Sequence, residues 1–262
     1  KGLLYAITGK GTFVSPGISA QDTFLDQGSP VIEMGMIKPF YAWNQSILNI
    51  AGKVVNSTDN SRLLEYSNPF GTDRQVKAAR KWLHHFGIDA PKENILLSAG
   101  AQNALSVVLI SLFKAGDKIA VDAFTYTNFK GLANFLHIQL ISIETDGCGM
   151  TPASLLQACR NTEIKGLYLM PTCSNPTSIF MPAARRQEIA DIARQFHLLL
   201  IEDDIYSFLA PKGVKSFFSM FPEQTIHICS ISKSLCAGLR VAFLAFAAKY
   251  REALVAGMLN IN

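Results

Sequence analysis

Ser230-Ile-Ser-Lys233-Ser-Leu-Cys-Ala-Gly238-Leu-Arg240 links the end of one largely apolar run, Ile226 to Ser232, to the start of another, Val241 to Ala247. Both runs read as buried strands. Lys233 therefore stands at the carboxyl end of a strand, where α/β sheets bind their ligands. A lysine desolvated there sheds its proton and can attack an aldehyde. Ser230, Ser232 and Arg240 bring hydroxyl and guanidinium donors suited to a phosphate. The plainer reading is a solvated lysine beside a satisfied arginine.

Outward from this stretch, the chain alternates helices and apolar strands from about Gly71. Val76, Ala79, Leu83 and Phe86 fall at spacings of three and four, which predicts an amphipathic helix over 73–86 with Gly87 as its C-cap. Strands are expected at 95–97, 118–122, 138–143, 167–170 and 198–201, with helices at 101–113, 126–136, from Thr151-Pro152 to about Cys159, and at 182–196. Strands apolar on both faces, separated by helices, predict an α/β domain with a mostly parallel sheet flanked by helices. The opening residues differ. Leu3 to Ile7 and Thr12 to Val14 are strand-like around a Thr8-Gly-Lys-Gly11 turn, a short β-hairpin. Ser15 to Gln27 reads as linker.

Other strand ends carry chemistry as well. In Ile201-Glu-Asp-Asp204-Ile-Tyr206, Asp203 could hold a pyridine nitrogen protonated and Tyr206 could bond a phenolic oxygen. Asn175, in Pro171-Thr-Cys-Ser-Asn175-Pro176, could donate to the same oxygen. Gly100, Ala101 and Gln102 open a helix whose first amides suit a phosphate. Tyr126 could stack on an aromatic ring. Taken singly, each also reads as an ordinary turn, strand end or core residue. Their order along the chain, each at a strand end, is the argument.

Composition narrows the rest. The 262 residues are 49% hydrophobic, enough for a large core. The longest apolar run, Val241 to Ala248, is far too short to cross a bilayer, so no membrane role is expected. Five cysteines without close spacing argue against a disulfide framework and suit a reducing cytoplasm. No histidine cluster of the HExxH kind is present, and no metal site is expected. A net charge of +4 permits a nucleic-acid partner without requiring one.

From about Tyr66 to the last residue, these motifs resemble the fold-type I aminotransferases, and the expected architecture is their large domain. The resemblance implies that Lys233 holds pyridoxal phosphate as an imine. It also implies that Asp203 pairs with the pyridine nitrogen, that Asn175 and Tyr206 contact the phenolic oxygen, and that Tyr126 stacks on the ring. The phosphate would then lie against Gly100, Ala101, Gln102, Ser230, Ser232 and Arg240. Tyr66 matches a tyrosine that reaches the partner subunit's phosphate, implying a homodimer. Gly9-Lys-Gly11-Thr12-Phe13-Val14 resembles the wing ending of a GntR-type winged helix. A wing, a linker and an aminotransferase-like domain form the layout of MocR-type regulators, which bind DNA and sense an amino acid, an amine or the cofactor. The expected division is a wing remnant over 1–15, linker and N-terminal arm over 16–45, and the large domain over 46–262. The family's small C-terminal domain is missing, so a piece of a longer protein is expected. A working aminotransferase, transferring an amino group between an amino acid and a 2-keto acid, is the alternative, because the site residues are common to both.

Overall fold

The computed structural model describes residues 4–7, 11–14, 37–39, 41–57, 65, 68 and 70–261. Leu4–Ile7 (β1) pairs antiparallel with Gly11–Val14 (β2), Ala6 opposite Thr12, giving the expected opening ladder. Residues 1–38 cluster as one compact unit and 39–262 as another.

The second unit opens with Asn44–Val55 (α1), a helix with no buried residue. Asp73–His85 (α2) starts at a capping box. The Thr72 side chain accepts from the Gln75 N–H, and the Gln75 side chain accepts from the Thr72 N–H. Its Val76, Ala79 and Leu83 stripe is buried, and Gly87 follows at φ 75°.

The remaining elements are Ile95–Ser98 (β3), Ala101–Leu112 (α3), Lys118–Asp122 (β4), Thr127–Phe135 (α4), Gln139–Ile143 (β5), Thr145–Asp146 (β6), Gly149–Met150 (β7), Pro152–Asn161 (α5), Gly166–Leu169 (β8), Ala183–Gln195 (α6), Leu199–Asp203 (β9), Phe217–Met220 (α7), Thr225–Ser230 (β10), Ala242–Ala245 (β11) and Arg251–Ile261 (α8). Seven strands form one sheet in the order β3-β11-β10-β9-β8-β4-β5. β10, β9, β8, β4 and β5 are parallel, while β11 runs antiparallel to both β10 and β3.

The strands alternate faces, so adjacent residues enter different cores. Leu96, Ile119, Val121, Tyr168, Ile201, Ile228 and Leu244 face α3, α4 and α8. On the opposite face Ala120, Leu167, Leu169 and Leu200 meet α5 and α6, and Ile95, Cys229 and Phe243 meet α2.

That second face also buries an ion pair. Glu202 and His227 are register partners on β9 and β10, fully buried, with His227 Nδ1 2.9 Å from Glu202 Oε2. The Phe217 and Phe218 N–H groups at the start of α7 donate to the two Glu202 oxygens. Burial opposes the charge on His227, yet the Glu202 carboxylate outweighs it and holds the imidazole up at about 10. Together with Asp204 these groups form a buried triad of potential metal ligands, but Glu202 is already committed to three partners.

Candidate functional site

Because β11 runs against its neighbours, its amino end shares one rim of the sheet with the carboxyl ends of the parallel strands. Lys233 follows β10 and Arg240 precedes β11 on this rim. The turn between them is tied down by Ser230, whose hydroxyl donates to the Val241 carbonyl at 3.1 Å and accepts from the Ser232 N–H at 3.1 Å. Ser230 is thus occupied in shaping the turn. Ser232 is buried, and its Oγ has no hydrogen-bond partner. Burial lowers the Lys233 ammonium below its ordinary value, and the charge of Arg240 lowers it further.

Arg240 adopts the left-handed conformation, φ 51°. Its guanidinium lies against Gly100, the residue before α3. A Cβ built on Gly100 would sit 2.5 Å from Arg240 Nη2 and 2.9 Å from Cζ. Gly100 itself has φ 94° and ψ 166°, a region close to glycine-only. The first-turn N–H groups of Ala101 and Gln102 have no carbonyl within α3 to bond, so they join this guanidinium in a concentrated donor patch.

Asp203 ends β9 at 2% exposure. Its Oδ2 accepts from the Tyr168 hydroxyl at 2.8 Å, while Oδ1 has no hydrogen-bond partner. Burial pushes this carboxyl up to about 7 against the pull of Tyr168 and the Ile205 N–H. Tyr126, before α4, has its hydroxyl bonded by Asn128 Nδ2 at 3.0 Å. Burial raises its phenol, with the Asp203 carboxylate adding and Arg240 opposing. Tyr206 is buried, and its phenol is pushed well up by burial, then by Cys173, Asp203 and Tyr126. Asn175 sits in the loop after β8, and its peptide bond to Pro176 is cis. Arg186, at 1% exposure, pins the base of that loop by donating to Pro171 O at 3.1 Å and Met181 O at 3.0 Å. Tyr66 lies outside the described residues.

Sequence reasoning passed over Tyr168, Asn128 and Phe129. Tyr168 stacks on Phe129 with ring centroids 3.7 Å apart and 7° between planes. A lone tyrosine in an aliphatic strand was the available signal, since a buried hydroxyl needs a partner.

Residues 30–261 match the family model for aminotransferase class I and II. This chain belongs to that family. As an aminotransferase-family member it is 38% identical over 264 residues to the uncharacterized HTH-type transcriptional regulator YdeF of Bacillus subtilis (strain 168), covering 100% of this chain and 57% of that protein. Against the mitochondrial kynurenine/alpha-aminoadipate aminotransferase of Rattus norvegicus it is 27% identical over 205 residues, 70% of this chain and 48% of that one. An archaeal alanine:glyoxylate aminotransferase superposes with TM-score 0.83 at 21% identity, over 90% of this chain and 60% of the other. The alpha-aminoadipate aminotransferase LysN of Thermus thermophilus, solved with N-(5'-phosphopyridoxyl)-L-leucine, superposes with TM-score 0.78 at 22% identity, over 87% of this chain and 59% of the other. The fold is that of the fold-type I aminotransferases, a pyridoxal-phosphate-dependent family. The chain spans about half the length of YdeF and of the rat enzyme.

The rim residues fit such a cofactor. An orphaned buried carboxylate oxygen on Asp203 awaits a donor, as a ring N–H would be. The donor patch of Arg240, Ala101, Gln102 and Ser232 suits a dianionic phosphate, and Gly100 keeps that cradle open. Among the described residues, no helix is long and apolar enough to cross a membrane.

Proposed function

We propose that this chain is the effector-sensing part of a transcription regulator of the GntR/MocR layout, and that it holds pyridoxal phosphate through Lys233. The reading is carried by the match to an HTH-type regulator over 100% of the chain, which includes the opening ladder as well as the sheet domain. The proposed division is a wing over 1–15, linker and arm over 16–45, and the aminotransferase-like domain over 46–262.

When bound, pyridoxal phosphate supplies an aldehyde that condenses with amines and a ring that withdraws electrons. Lys233 is suited to that aldehyde because its lowered pKa enlarges the neutral, nucleophilic share of its amine. Asp203 would accept from the ring nitrogen through Oδ1. Arg240, Ser232 and the Ala101 and Gln102 amides would hold the phosphate, with Ser230 shaping the turn behind them. Tyr126 would stack on the ring, and Asn175 and Tyr206 would face its phenolic oxygen. The proposed effector is an amino acid or amine that competes with Lys233 for the same aldehyde. By binding one arrangement of a homodimer more tightly than another, it would shift the DNA-binding parts. The dimer is supported by α1, whose Leu48 and Ile50 are 64% and 60% exposed, an apolar surface that favours a partner. A cytoplasmic setting is supported by five free cysteines.

The test is reconstitution with pyridoxal phosphate. A visible band is expected that borohydride abolishes, leaving the label on the peptide containing Lys233. Lys233→Ala should fold yet stay colourless. A wild-type protein that shows no band removes the cofactor reading. In the full-length protein, promoter-DNA binding that responds to amines supports the regulator. Turnover of an amino donor and a keto acid at ordinary enzymatic rates, without such binding, favours the aminotransferase.

A further inference from the structure

We propose that Tyr168 is a positioning residue for the ring nitrogen of the cofactor, acting through Asp203. The inference rests on the cofactor reading above and assigns a task to a residue outside the expected site.

Tyr168 lies on β8 beside β9, at 1% exposure. It is the register partner of Ile201, so its side chain shares a face with Asp203 two residues further on. Its ring is clamped flat on Phe129, and its hydroxyl reaches Asp203 Oδ2 at 2.8 Å. Tyr126 is the N-cap of α4 and Phe129 lies in its first turn, so one helix start positions both the ring expected to stack on the cofactor and the ring that fixes Tyr168.

The consequence is a division of labour between the two carboxylate oxygens. An aspartate at the end of a buried strand could rotate about its side-chain bonds and offer either oxygen. The bond to Tyr168 removes that freedom, engaging Oδ2 and leaving Oδ1 without a partner. One acceptor then faces one donor, in a fixed plane. Tyr168 is suited to donate only, because burial and the Asp203 charge keep its phenol protonated. Its hydroxyl also stabilises the ionised carboxylate against burial, and the ionised form is the one a protonated ring nitrogen needs.

The variant is Tyr168→Phe, which keeps the stack and deletes one oxygen. Two probes are compared for affinity: pyridoxal phosphate, and its analogue with carbon in place of the ring nitrogen. Wild type is expected to prefer pyridoxal phosphate. In Tyr168→Phe that preference should shrink by about tenfold to a hundredfold, the worth of a hydrogen bond to a charged group, while analogue affinity holds. The pH at which the bound chromophore changes colour should move as well. If both probes weaken equally, or neither does, Tyr168 only fills the core and the proposal falls. Wild type binding neither probe sinks the cofactor reading instead, so the two failures are distinct. Should Tyr168→Phe not fold, Phe129→Leu decides. It leaves the hydroxyl but loosens the ring, and a reduced preference for the nitrogen supports the proposal, whereas an unchanged one overturns it.

Discussion

Replacing Gly100 by alanine tests the proposed phosphate cradle where Arg240 comes closest to it. The added methyl would lie 2.5 Å from Arg240 Nη2 and 2.9 Å from Cζ, where ordinary contacts begin near about 3.5 Å. The guanidinium must therefore retreat by roughly 1 Å to restore such a contact. As the far end of a flexible side chain it can do so, and the cost to the fold comes mainly from the backbone. At φ 94° and ψ 166°, a side chain costs about 1–3 kcal/mol, which urea unfolding can measure. The cost to binding is separate. Moving Arg240 off the phosphate forfeits a charge-assisted hydrogen bond of about 1.5–3 kcal/mol, so the Kd for pyridoxal phosphate should rise by about tenfold to a hundredfold. Pyridoxal, which lacks the phosphate, should bind Gly100→Ala and wild type alike. Arg240→Ala should mimic the loss, and the double variant should lose little more, because both act on one contact. Equal weakening toward pyridoxal and its phosphate would mean that Arg240 does not hold the phosphate.

Glu202→Gln should remove about 3–5 kcal/mol of stability near neutral pH, because it strands His227 in the core. The raised His227 pKa stabilises fully below its ordinary 6.5 and fades as pH climbs through about 10, and the lowered Glu202 pKa contributes above its ordinary 4.5. The gap in urea midpoint between variant and wild type should therefore close toward high pH, and a constant gap contradicts the ion pair. Asp203 behaves oppositely. Its carboxyl is raised from an ordinary 3.8 to about 7, so ionising it in the cofactor-free protein costs about 4 kcal/mol, felt progressively as pH rises through that interval. Cofactor-free Asp203→Asn should lose less stability than wild type as pH rises from about 4 to about 7, and identical pH slopes would clear Asp203 of that cost. Gly257 of α8 packs on the Ser111 side chain of α3, where a Cβ has no room. Gly257→Ala should cost about 1–3 kcal/mol, and adding Ser111→Ala should recover most of it in thermal unfolding.

The central strands were legible because each is an apolar run bounded by turn residues, and the strand-end rule led from them to Lys233, Asp203 and the Gly100 turn. The expected strand at 198–201 stops short of the observed β9, which carries on through Glu202 and Asp203. Acidic residues usually mark a strand's exit, and Glu202 stays buried only because His227, Phe217 and Phe218 satisfy it. Those partners lie up to 25 residues away, beyond any local pattern. Tyr168 was missed for the same reason, its acceptor being 35 residues downstream. The β6–β7 ladder, two residues a side, is too short to leave a period. α1 has no buried stripe, and packing among the described residues does not explain its apolar surface.

The placement of β3 bears on how the protein assembles during synthesis. Among the described residues, β3 precedes the other strands of the large sheet, yet its one strand partner is β11, the last of those strands in sequence. While the ribosome makes the long stretch between them, β3 has no strand to pair with, and the loop at Gly100 has no arginine beside it. Pairing over so long a separation is slow and leaves a strand open to wrong partners. A nascent chain halted before Ala242 should therefore hold a β10-to-β5 platform with a dangling first strand, and become resistant to protease at the Gly100 turn only after β11 emerges.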